Sequence, residues 1–321
     1  MRTLLRSRFP QFRHWATALS LCTLGIVPMA ASAGFVASSL EQYNYQTGNS
    51  ALTVRSYDAF DELDDLPGVT GLTVQVNSGP VENIAFDLFY NAYKRRQSWD
   101  SVEQMVAARP VDATIVHTLT GSPAGTVSIT APGVAYAAAV PVSPVFEIVG
   151  LDGYWTSGTH GEGIFNFDAA TAGSFTIRLN PYAAATAGPN FFYSASVADI
   201  RGPYSRIDEQ HSGVLPAGAP TPSLALTFTR GLPLDGGDAD PTTYGFGADS
   251  FVLLEGEFGN IFGLATTGLG DGSQKAFVYQ NNTSLILQAV PEPSIYACVG
   301  IGMLLIGWAT RLRSPGPGRI T

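Results

Sequence analysis

Cysteine is missing from most of this chain: the only two, Cys22 and Cys298, lie near its ends. Between Gly34 and Ala289 no disulfide can form, and a structural zinc of the cysteine type is excluded. A segment of that length needs neither, because it can bury an adequate core by itself. Positive charge is also scarce there, with 25 Asp and Glu against 10 Lys and Arg, a net of −15. The whole-chain figure of −9 conceals this, since the other seven arginines lie in the two end segments. So acidic a body lacks the basic footprint that nucleic acid needs, which excludes that partner. It suits solubility outside a cell, and divalent cations or basic partners. Catalytic signatures are missing too: no nucleophile elbow, HExxH, phosphate loop or dinucleotide fingerprint occurs.

The two ends carry the most specific patterns. Arg2, Arg6, Arg8 and Arg13 precede and flank an uncharged apolar stretch, Trp15 to Met29. Ala31-Ser32-Ala33 then sets small residues at positions −3 and −1 of a cut before Gly34. A basic segment, an apolar segment and a small-residue cut define a secretory signal peptide over residues 1–33. Ser7 separates Arg6 from Arg8, so no twin-arginine pair is present.

At the other end Val290 leads into Pro291-Glu292-Pro293, the uncharged run Ser294–Thr310, and then Arg311 and Arg313. Proline fixes φ and restrains the residue before it, so the Pro-Glu-Pro segment is stiff, extended and helix-breaking. The run of 17 residues that follows is a minimal membrane span. A buried C-terminal core helix is the alternative. Against it, the run is apolar all round and carries Gly300, Gly302 and Gly307, which membranes tolerate and soluble helices do not. Positive charge outside both apolar segments predicts that both ends stay in the cytoplasm while the body is exported.

Taken in order, Pro291, Glu292 and Pro293, the helix 294–310 and the basic stop at Arg311 and Arg313 resemble a PEP-CTERM sorting signal. That signal belongs to exported proteins of exopolysaccharide-producing Gram-negative bacteria. The resemblance implies an exosortase as processing partner, a membrane enzyme that resembles a cysteine protease and cuts near the motif. It also implies a membrane-anchored precursor, then a place at the cell surface or in the extracellular matrix, associated with exopolysaccharide and biofilm. Only residues 290–321 carry the likeness, and the exported parts of such proteins are diverse, so it implies no activity. One departure is the tail Ser314-Pro-Gly-Pro-Gly beyond the basic stop.

Within residues 34–289, short period-two segments recur between turn residues. Leu72, Val74 and Val76 alternate in Gly71–Asn77, as do Phe175, Ile177 and Leu179 in Ser174–Asn180 and Leu224, Leu226 and Phe228 in Ser223–Thr229. Further strands are predicted at Thr114–Leu119, Thr126–Thr130, Phe191–Val197, Ser250–Leu254, Lys275–Tyr279 and Ser284–Ala289. One helix is predicted, where Ser98-Trp99-Asp100-Ser101 offers a cap to Val102, Met105, Val106 and Arg109 at helical spacing before Pro110. The expected architecture is all-β: a single antiparallel β-sandwich or jelly roll with a minor helix.

Candidate sites in this body are few. Asp235, Asp238 and Asp240, with Asp249 beyond, alternate with glycine and could supply oxygens to calcium, or could be a solvated turn. No other cofactor is expected. Asp58, Asp61, Glu62, Asp64 and Asp65 form a second acidic cluster, read as a charged solvent face with calcium as the weaker alternative. Tyr154 and Trp155 could form a sugar-stacking platform, and His160 with Glu162 a metal or acid–base pair. The competing account is a glycine-rich hairpin whose aromatics fill the core. His117 and His211 lie far off in sequence. The resulting expectation is an exported, non-catalytic surface or matrix protein. Its rivals are a carbohydrate- or calcium-binding module and a polysaccharide hydrolase, which would need two carboxylates across a cleft.

Overall fold

The structure is a computed structural model that describes residues 34–64, 66–88, 91–140, 143–159, 161–179, 190–199, 207–215, 224–231, 243–247, 250–270 and 272–290. The chain begins with β1 (Phe35–Gln46), β2 (Leu52–Asp64), β3 (Val69–Val76), β4 (Val81–Ile84), β5 (Phe86–Asp87) and β6 (Ala92–Trp99). Helix α1 (Val102–Ala108) follows, then β7 (Thr114–Gly121), β8 (Gly125–Thr130) and the one-turn helix α2 (Tyr136–Ala139). Next come β9 (Phe146–Val149), β10 (Tyr154–Ser157), β11 (Gly163–Asp168), β12 (Phe175–Leu179) and β13 (Asn190–Asp199). The last are β14 (Ile207–Leu215), β15 (Leu224–Arg230), β16 (Thr243–Phe246), β17 (Phe251–Thr266) and β18 (Gln274–Val290).

Ten strands make one large sheet in the order β14-β13-β17-β18-β1-β2-β6-β5, with the β10–β11 hairpin joined to β18. Two four-stranded sheets, β16-β15-β12-β9 and β4-β3-β7-β8, stand beside it. Their inward residues, such as Ile177 and Phe228 in one and Ile115 and Val127 in the other, share a core with Val36, Leu40, Leu254 and Phe258 of the large sheet. The arrangement is sandwich-like: two small sheets side by side on one face of a large one. Each apolar face is buried only because another sheet lies against it.

β18 is the hub. β17 runs antiparallel along one edge, while β1 (from Gln274 to Ser284) and then β11 (from Ile286 to Val290) run parallel along the other. Gly163 sits where β1 gives way to β11, and a Cβ there would strike the Gln46 carbonyl. With the parallel pair β15·β16, these pairings depart from the purely antiparallel expectation. Parallel neighbours need long crossovers, so no hairpin turn announces them in sequence.

Each predicted strand overlaps an observed one. Lys275–Tyr279 and Ser284–Ala289 prove to be one strand, because the polar residues between them stay in the sheet and are buried. Helix α1 starts where predicted: Ser101 is its N-cap, and the Oγ accepts the Gln104 N–H at 3.3 Å. Ser98, by contrast, belongs to β6.

Between the two small sheets the connecting segment around α2 crosses the middle of the large sheet. No neighbouring strand can satisfy its backbone, so amide side chains rising from the large sheet do. Asn260 Nδ2 donates to the Ala139 carbonyl at 2.6 Å and Asn281 Nδ2 to the Val140 carbonyl at 3.0 Å. Asn44 Nδ2 reaches Ser143 Oγ at 2.5 Å, and Gln46 Oε1 accepts the Phe146 N–H at 2.8 Å, opening β9. These amides are buried and all but invisible to a hydrophobicity pattern. Among the described residues no helix is long and apolar enough to cross a membrane. The segments 1–33 and 294–310 lie outside the described residues.

Candidate functional site

Most of the residues singled out from sequence fall outside the described part. These are Ala31, Ala33, Asp65, His160, Asp235, Asp238, Asp240, Asp249, Pro291, Glu292, Pro293, Arg311 and Arg313. Gly34 is described, and its carbonyl accepts the Gln274 N–H at 2.9 Å, tying the start of β1 to the start of β18. Tyr154 and Trp155 are consecutive on β10, facing Asn166 and Phe165 of β11. Consecutive strand residues point to opposite faces, so the two side chains diverge. Tyr154 is exposed, while Trp155 packs edge-on against buried Phe165 at 5.4 Å. Among the described residues no group of three or more His, Cys, Asp and Glu is placed to hold a metal ion.

The described part of the acidic cluster, Asp58, Asp61, Glu62 and Asp64, is not a solvated face. Asp58 and Asp61 in β2 are 1% and 0% exposed. They turn inward because cations meet them from neighbouring strands and from the end of α1. Alternation sends Asp61 toward the small sheet β4-β3-β7-β8 and Asp58 and Glu62 to the opposite face.

Asp61 accepts four hydrogen bonds from three residues. Ser38 Oγ donates at 2.7 Å, Arg95 donates through Nη2 at 2.7 Å and Nε at 3.2 Å, and Arg109 Nη2 donates at 2.5 Å. His117 Nε2 stands 3.5 Å away. Burial opposes ionisation of Asp61, but His117, Arg109 and Arg95 outweigh it and hold the carboxyl well below its ordinary range. The cluster extends outward, because Arg95 also pairs with Glu82 of β4.

Above this cluster lies a cavity of about 330 Å³ between β3, β4, β6 and α1. Val74, Val76 and Ala107 line it together with Glu82, Arg95, Trp99 and Arg109. Arg109 is 3% exposed. Its Nε–H and the Trp99 indole N–H are both buried without a hydrogen-bond acceptor among the described residues. Two buried donors left unmatched are an exception to ordinary protein practice. Sequence reasoning missed this place. The one available signal was Lys94-Arg95-Arg96, three cations in a row in a body that has few.

The opposite face of the large sheet holds a different set. Burial pushes the Glu255 carboxyl up to about 7, partly offset by the Tyr43 hydroxyl, which donates to it at 2.6 Å. Burial likewise raises Glu41 to about 7 against the pull of Lys94 and Arg96. Glu62 rises to about 7 and Lys94, 3.9 Å away, falls to about 8, again through burial. Arg96 pairs with Asp58 and lies 5.3 Å over the Phe60 ring.

No family model matches this chain, and no curated protein does. Among solved structures, a yeast delta-COP-I mu-homology domain is similar at 10% identity and a TM-score of 0.23, covering 83% of this chain and 99% of that one. A cytokine receptor complex is similar at 10% identity and a TM-score of 0.19, covering 73% and 93%. Likeness at these scores carries no argument about fold or role.

Proposed function

We propose that this chain is an exported, non-catalytic surface or extracellular-matrix protein, delivered by its two terminal segments. A signal peptide over 1–33 sends it across the inner membrane, and the membrane helix 294–310 holds the precursor. An exosortase-type enzyme then reads Pro291, Glu292 and Pro293, and the body lodges at the surface in association with exopolysaccharide. The observation that carries this reading is the ordered Pro-Glu-Pro motif, apolar run and basic stop in a chain that opens on a signal peptide. The fold agrees with removal at both ends: β1 begins at Phe35 and β18 ends at Val290, so neither cut would take a strand.

The test is intact mass and terminal peptide mapping of the native protein recovered from its host's surface or medium. Termini at Gly34 and near Pro291 are expected. A chain recovered only with Thr321 at its C-terminus would mean a permanent anchor and would overturn the sorting proposal.

A further inference from the structure

Among the described residues only one face of the large sheet carries a second layer, yet both of its faces are buried. In β18 every residue from Ala276 to Leu287 is buried. Phe277, Tyr279, Leu285 and Leu287 join the core under the two small sheets. Alternation sends Val278, Gln280, Asn282 and Ile286 to the other side. A sheet face left to water shows exposed residues at every second position. Here Gln280, in the middle of that outer face, is 0% exposed. One apolar cluster on the same face, Leu253 and Ile286 with Ile164 and Phe251, draws every member from the large sheet itself. A second layer is therefore required over this face, and a single chain has to supply it.

The internal segments 180–189, 216–223 and 232–242 each have an end in the small sheet β16-β15-β12-β9, on the wrong side. Segment 200–206 joins β13 to β14, at one edge. The two ends of the chain remain. Residues 1–33 read as a signal peptide, which the mature protein loses. Residues 291–321 continue β18 directly, and their apolar run 294–310 begins four positions beyond Val290, near the Ile286 cluster. As a helix that run measures about 25 Å. The same distance spans about seven residues of strand. Laid back along β18, it reaches from Ile286 to the level of Gln280. Charge agrees with that direction. Register sets Glu41 beside Gln280 and Asp58 beside Glu41, while Arg311 and Arg313 follow the run. Docking also takes two apolar surfaces out of water at once.

We infer that the outer face of the large sheet seats the apolar segment 294–310 of this same chain, laid back along β18, whenever that segment is not in a membrane. Docking and spanning exclude each other, so the face competes with the bilayer for the segment. A cut near Pro291 would bare the face. That last consequence rests on the sorting proposal, whereas the docking itself does not.

The test uses the full-length chain, synthesised without lipid or detergent, and its own Cys298. That thiol lies four positions into the run, about 6 Å along a helix and level with Ile286. In a Cys22→Ser background, Ile286→Cys and Leu253→Cys each place a second thiol on the outer face, and Leu287→Cys places one on the inner face. Mild oxidation and peptide mass mapping then locate the disulfides. The expected result is a bond within one chain from Cys298 to position 286 or 253. It should form about tenfold faster than any bond to position 287, whose side chain points away.

Three results would each overturn the inference: rates at 286 and 253 no higher than at 287, disulfides that join two chains, or an equally fast bond from Cys22 to position 286 in Cys298→Ser. The second would give the face to another copy, and the third to the N-terminal segment. A Cys298 bond in a chain whose native form keeps Thr321 would uphold the seat and remove the sorting proposal. Termini at Gly34 and near Pro291 without that bond would do the reverse.

Discussion

The two small sheets cover the same large sheet with opposite chemistry. Under β16-β15-β12-β9 the interface is aromatic: Phe175 stacks on Phe228 at 5.1 Å, Phe228 on Tyr244 at 5.2 Å, and Phe167 meets Phe246 edge-on at 5.4 Å. Under β4-β3-β7-β8 the centre is ionic, with Asp61, Arg95 and Arg109 set among aliphatic residues such as Leu72 and Ile115. Apolar burial is non-directional, and ring pairing adds only about 0.5–1.5 kcal/mol to it. A buried ion cluster stands or falls by its geometry, because removing one member strands the charges that remain. The aromatic half is therefore held by area and the ionic half by complementarity. The ionic half leaves the Arg109 Nε–H and the Trp99 indole N–H without an acceptor among the described residues.

The largest effect should come from Asp61→Ala, which leaves the buried Arg109 guanidinium without its carboxylate and should cost about 3–5 kcal/mol in urea unfolding. Replacing Asp61, Arg95 and Arg109 together by Leu, Met and Met should recover most of that loss. A single substitution costing under about 1 kcal/mol would break the contrast outright. On the aromatic side Phe228→Ala should cost about 3 kcal/mol through the cavity it opens, and Phe228→Leu under about 1.5. Equal losses for the two would show that ring geometry matters as much there as ion geometry does opposite.

A smaller effect is set by pH. Glu255 has its folded pKa raised from 4.5 to about 7, so the fold favours its protonated form. Stability from this group is complete below about pH 4.5 and is lost as pH rises through 7. Glu255→Gln should flatten the fall in melting temperature between about pH 5 and pH 8. Asp61 has the opposite sign: its folded pKa is depressed, so its contribution is present above the ordinary carboxylate range and disappears in strong acid. An unchanged pH profile in Glu255→Gln would assign the titration to Glu41 and Glu62 instead. The smallest expected change is Ser101→Ala, which removes the α1 cap and should cost about 0.5–1 kcal/mol, read by thermal unfolding.

Legibility followed chemistry. Strands with one apolar and one wet face, such as β3 and β12, announced themselves by alternation, and α1 by its capping serine. β1 and the second half of β2 did not, because both of their faces are buried and polar residues occupy buried positions: Ser38, Asn44 and Gln46 in one, Asp58 and Asp61 in the other. The Asp-rich run looked solvated for the same reason. A carboxylate's burial depends on a cation supplied by another strand, and β2 meets Arg95 and Arg96 only through the antiparallel register with β6. The cavity was illegible since its donors, Trp99 and Arg109, are ten residues apart and meet Glu82 only in space. The buried amides under α2 carry no local signal either, as their partners lie about a hundred residues away or more.

The position of β18 also sets an order of assembly. The last strand of the body is the one that β1, β11 and β17 all pair with, and Phe35 finds its neighbour only at Gln274. Until the final stretch has emerged, the first strand has a partner on one side alone, and the large sheet stays split into three unjoined parts. Contacts so distant in sequence form late and slowly. A chain threaded through a membrane N-terminus first would therefore remain pliable for nearly its whole passage, and lock only when its end arrives.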